Sequence, residues 1–103
     1  PLKFSTNSTH CLIMKDSTVA YAIVPSSITS TNDYFVMEVI PDGSRRVISL
    51  WGMGAPGTYV AGVYFDMQYT NLASLTAGWY IVRWQGTGTP LPSDTFTVVA
   101  SGS

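Results

Sequence analysis

Charge is what this sequence has least of. Asp, Glu, Lys and Arg make up 11% of its 103 residues, against about 25% in an ordinary globular domain. Five basic residues (Lys3, Lys15, Arg45, Arg46 and Arg83) set against six acidic ones leave a net charge of -1. They form no stripe, so no nucleic-acid partner is expected. The single cysteine, Cys11, excludes an internal disulfide. The single histidine, His10, would have to anchor any catalytic triad or histidine-based metal centre. His10 and Cys11 are neighbours, and on a strand they point to opposite faces, which is poor geometry for one metal ion. No apolar run approaches the roughly 18 residues of a membrane span, and no signal-peptide pattern opens the chain, so no membrane partner is expected. Pro1 is the kind of small residue left by removal of an initiator methionine. The expectation is a short gene product folded in a cytoplasm, with a trimmed piece of a larger protein as the alternative.

What remains is apolar and aromatic. Hydrophobic residues make up 46% and aromatics 13%, enough for one domain spanning 1–103 that buries roughly 60–65% of its unfolded surface. A surface so poor in charge points to partners that cover part of it, although Ser and Thr can also solvate a β surface.

The pattern along the chain is period two. Residues 1–9 read as an edge strand or arm around Phe4. Residues 10–14 and 19–24 read as short strands, the first closed by Lys15-Asp16-Ser17 and the second by Pro25. A Ser/Thr loop leads to a strand at 33–40 with Phe35, Met37 and Val39 on one face. Pro41-Asp42-Gly43-Ser44 is the clearest turn, with proline at the corner and a return strand at 45–51. Gly52 to Gly57 reads as a flexible loop. Residues 58–70 read as the longest strand, placing Tyr59, Ala61, Val63, Phe65, Met67 and Tyr69 on one face, with a link at 71–77. Then Tyr80, Val82 and Trp84 share a core face, Ile81 and Arg83 lie opposite with Arg83 toward water, and a last strand ends the chain. No stretch shows a convincing period of 3.6, so the fold class is all-β, an antiparallel sandwich of about seven strands without a regular helix longer than about one turn or two.

Pro56-Gly57-Thr58-Tyr59-Val60-Ala61 and Ala77-Gly78-Trp79-Tyr80-Ile81-Val82 look like one another. With Pro41-Asp42-Gly43 and Phe96-Thr97-Val98, they resemble the immunoglobulin-like modules of bacteriophage structural proteins and bacterial surface proteins, over about Asp33 to Ala100. The resemblance implies an immunoglobulin-like β-sandwich, a scaffold or adhesion role rather than catalysis, and a corner tyrosine at Tyr80, after Leu75 and Gly78, whose hydroxyl bonds nearby backbone. It leaves the N-terminal third without a counterpart.

No residue pattern supports an enzyme, a metal site or a cofactor. Asp33, Asp42 and Asp94 sit beside turns, where bonding to local backbone is their usual work. Trp84 reads as core. Trp51 and Trp79 lie at strand ends beside glycines, which suits an interface or, alternatively, a carbohydrate platform. The expected interface residues are Pro1, Leu2, Lys3, Phe4, Trp51, Met53 and Trp79. The functional expectation is a small virion protein (neck, tail or capsid-decorating) that is homo-oligomeric in its assembly and contacts other virion proteins. The alternative is an adhesion or carbohydrate-binding module at a bacterial cell surface. On this reading residues 1–8 are dispensable for folding and needed for incorporation.

Overall fold

A computed structural model describes residues 2–68 and 76–103. The expectations at Pro1, at Tyr69 and Thr70, and for most of the 71–77 link lie outside the described residues. Strands β1 (Leu2–Thr6), β2 (Cys11–Lys15) and β3 (Thr18–Ile23) form one antiparallel sheet in that order. Strands β4 (Asn32–Asp42), β5 (Arg45–Gly52), β6 (Gly78–Gln85) and β7 (Thr95–Gly102) form a second, antiparallel, in the order β5-β4-β6-β7. Between β5 and β6 the chain forms a helix, α1 (Ala55–Gln68). Strand accounts for 54% and helix for 17%, so the protein is mostly β rather than all-β.

The helix corrects the sequence reading at 58–70, where a strand is expected, and at 52–57, where a flexible loop is expected. Its residues are apolar on nearly every side, so a period of two can be traced through them. The side chains that pack are spaced otherwise: Gly57, Val60 and Ala61 are buried and Tyr64 packs against the same cluster. Those positions are i, i+3, i+4 and i+7, one helical face. Pro56 suits the first turn, where its missing N–H costs nothing.

Alternation along β4 and β6 divides the molecule into three layers. Tyr34, Val36 and Ile81 pack with Leu2, Ile13 and Ile23 of the small sheet. Phe35, Val82 and Trp84 point the other way and pack with Val60 and Ala61 of α1. The four-stranded sheet is therefore covered on both faces, which is why Asp33 to Val39 is buried without a break. Ile81, read as the outward side of β6, is fully buried for the same reason.

The β4–β5 turn is tighter than the sequence suggests. Pro41 and Asp42 still belong to β4, opposite Arg46 and Arg45, and Gly43-Ser44 alone reverse the chain. Gly43 has φ +61° while Ser44 does not join the positive-φ residues, a combination that fits a type II′ hairpin. The proline is tolerated because the pairing of β4 with β6 has already ended at Val39.

Candidate functional site

Three of the expected interface residues meet. Phe4, at the edge of the small sheet, is 54% exposed. Together with Trp51 and Gly52 from the end of β5 and Met53 just beyond, it lines a cavity of about 230 Å³. Phe4 and Met53 are far apart in sequence, and only the stacking of one sheet on the other joins them. Trp51 and Met53 also pack against the inter-sheet core. Lys3 is exposed and Leu2 is not.

The N-terminal strand is thus less of an arm than its sequence implies. Leu2 is 7% exposed within the inter-sheet core, and its N–H donates to both carboxylate oxygens of Glu38 at 3.2 Å. All five residues of β1 pair with β2. Removing residues 1–8 strips a strand and a core side chain, so the expectation that this segment is dispensable for folding is corrected. Phe4 is the position at which surface and fold can be separated.

Trp79 lies apart from that group. It packs against the inter-sheet core, pairs with Gly102 across β6 and β7, and lines a larger cavity of about 360 Å³ with Lys15, Glu38, Ile40 and Pro41. Neither Trp51 nor Trp79 is the open aromatic platform that their sequence positions allow. Both are half-buried.

The helix is held by a residue whose range the sequence does not reveal. Asp33 is fully buried. One carboxylate oxygen accepts the Tyr34 N–H at 2.7 Å, the local bond expected of it, and the other accepts the Gly57 N–H at 2.7 Å in the first turn of α1. The carboxylate satisfies one of the donors that a helix start leaves unpaired and complements its positive end. The approach demands glycine: a Cβ on Gly57 would collide with the Tyr34 carbonyl oxygen and the Asp33 carboxylate, and one on Gly52 with the Thr58 amide. The glycines that read as flexibility are positions of close packing.

Other polar side chains act as local ties. Asp94 Oδ2 accepts from Trp84 Nε1 at 2.9 Å and from the Leu91 N–H at 2.8 Å, fastening the β6–β7 loop to the core. The Tyr80 hydroxyl donates to the Thr76 carbonyl at 2.6 Å, the backbone bond anticipated for it. Arg83, expected to face water, is partly buried and donates from Nε to Asn32 Oδ1 at 2.7 Å. His10 closes the β1–β2 turn. Its N–H donates to Asn7 Oδ1 at 2.7 Å, and its Nδ1 lies 2.7 Å from the Thr9 hydroxyl. Burial pushes the Tyr64 hydroxyl above its usual range, with Tyr80 adding to the effect. Tyr21 is raised by burial first and by neighbouring Tyr34 second. Both phenols therefore stay protonated at neutral pH and are poor bases.

Cys11 is a free thiol, half-buried against the inter-sheet core. Replacing it with alanine is expected to cost about 1 kcal/mol and to leave the protein folded. Denaturant unfolding of the variant checks this, and a change well above that, or loss of the fold, would show that the thiol carries structural weight.

Among the described residues, no three His, Cys, Asp or Glu side chains gather in a group suited to a metal ion. Comparison with protein-family models, with curated proteins and with solved structures finds no match for this chain.

Proposed function

We propose that this protein is a non-catalytic assembly subunit that works through protein–protein contacts, as a small virion component of a bacteriophage (neck, tail or capsid-decorating). The observation that carries the reading is the apolar cavity of about 230 Å³ where Phe4, Trp51 and Met53 converge from two sheets. A half-exposed phenylalanine beside a partly buried tryptophan and a methionine has the composition of an interface centre. The adjoining edge strand carries one charge, Lys3, where an edge left open to solvent is usually defended by several. The scarcity of charge over the whole chain fits a surface that is largely covered in its working state. The immunoglobulin-like resemblance fits a scaffold or adhesion role, and a homo-oligomeric arrangement follows from the poorly charged surface, since weak contacts repeated by symmetry hold through avidity.

Native mass spectrometry of the full chain over a concentration series tests this. The wild-type protein is expected to self-associate, and Phe4→Ser and Met53→Ser are expected to shift it toward monomer by about tenfold or more in apparent Kd. Unchanged circular dichroism would show that both variants still fold. A wild-type protein that stays monomeric, or variants that associate as well as wild type, would overturn the assembly reading. The virion assignment has its own test in the flanking genes: capsid and tail genes support it, and one long secreted reading frame contradicts it in favour of a surface adhesin.

A further inference from the structure

Glu38 is the buried charge that neither the assembly surface nor the helix anchor uses. Glu38 is 8% exposed, and among the described residues its carboxylate receives one donor, the Leu2 N–H, shared between its two oxygens at 3.2 Å each. A carboxylate can accept about four hydrogen bonds, and among the described residues only one donor reaches this one. It lines the cavity of about 360 Å³ together with Lys15. The two opposite charges share that space without pairing: among the described residues the ion pair formed is Arg45 with Asp42. The other walls include Ile40, Pro41 and Trp79. The volume falls within the roughly 300–1,000 Å³ of small-ligand pockets, which combine apolar walls with a few placed polar groups.

We propose that this cavity binds a small zwitterion with an apolar body, of the class of a free apolar or aromatic α-amino acid. Its ammonium group meets Glu38, its carboxylate meets Lys15, and its side chain lies against Trp79, Ile40 and Pro41. The paired charges select this class. A simple cation would be repelled by Lys15 and a simple anion by Glu38. A sugar carries no charge, so it would leave Glu38 and Lys15 each without a charged partner. A ligand carrying both charges satisfies both ends at once. The cavity shares no lining residue with the one around Phe4, so the proposal stands or falls independently of the assembly role.

The test is a titration of the full chain with L-phenylalanine, followed by calorimetry and by amide chemical shifts of Val39, Ile40 and Trp79. Phenethylamine, which lacks the carboxylate, N-acetyl-L-phenylalanine, which lacks the ammonium, and glucose serve as comparators. L-phenylalanine is expected to bind saturably, and each single-charge analogue about tenfold or more weakly. Lys15→Gln is expected to abolish the preference over phenethylamine. Glu38→Gln, which keeps a carbonyl acceptor for the Leu2 N–H and so preserves the fold, is expected to abolish the preference over N-acetyl-L-phenylalanine. Absence of saturable shifts at these amides, equal affinity for the single-charge analogues, or displacement by glucose would each overturn the proposal.

Discussion

Replacing Trp84 with alanine is expected to lower the unfolding free energy by about 3–5 kcal/mol, a large share of the roughly 5–15 kcal/mol that holds a domain of this size. The indole is fully buried between the four-stranded sheet and α1, packed in a cluster with Phe35, Val60, Ala61 and Val82. Truncation leaves a cavity that the rigid β4–β6 pairing cannot collapse. It also removes the hydrogen bond from Nε1 to Asp94 at 2.9 Å, so Asp94 loses one of the ties that set the β6–β7 loop. Trp84→Phe separates the two contributions, because it keeps most of the ring and loses the bond. It is expected to cost about 1.5–3 kcal/mol, the range for a hydrogen bond to a charged group. Urea midpoints measured at constant m-value give both numbers. A loss below about 1 kcal/mol for the alanine variant would mean that the ring is not the centre of this layer.

Replacing Asp33 with alanine is expected to cost about 3–5 kcal/mol. Two backbone N–H groups, of Tyr34 and Gly57, lose their acceptor in a fully buried setting. Each stranded donor costs about 1–3 kcal/mol, and the positive end of α1 loses its compensating charge. Asp33→Asn keeps the shape but turns an NH2 group toward one of the two donors, so an intermediate loss is expected. The signature beyond stability is regional. Hydrogen exchange is expected to rise first in residues 55–64, while β2, β4 and β6 stay protected, because the anchor ties the helix rather than the sheets. A uniform rise across all elements, or an Asp33→Asn variant as stable as wild type, would show that the carboxylate does not anchor the helix.

Much of the β framework could be read from the residues in order. The expected strands at 33–40 and 45–51 correspond to β4 and β5, the core face of Tyr80, Val82 and Trp84 corresponds to the helix side of β6, and Gly43 marks a turn in both. These features are local. Alternation and turn chemistry act between residues a few positions apart, and β-branched and aromatic runs carry them without outside help. The candidate sites were legible only as residue types. Phe4, Met53, Trp51 and Trp79 stood out as apolar residues without an obvious place, but nothing in the chain order says that the first three share one cavity and the fourth lines another.

By itself, then, the sequence determined most of the strands, the place of the Gly43 reversal and that the chain is poor in charge. It also determined that no internal disulfide could support the fold, since one cysteine has no partner. The tertiary structure decided three other things. It made 55–68 a helix, because a segment apolar on nearly every side can be read with either period, and its choice depends on which face a neighbour covers. It buried both faces of β4 and β6, so that Ile81 and Arg83 left the solvent side. And it carried the Asp33 carboxylate to Gly57, 24 residues away in sequence, where a helix start offered an unpaired donor. In each case the deciding partner is distant along the chain, and the stabilisation appears only when packing brings the two together.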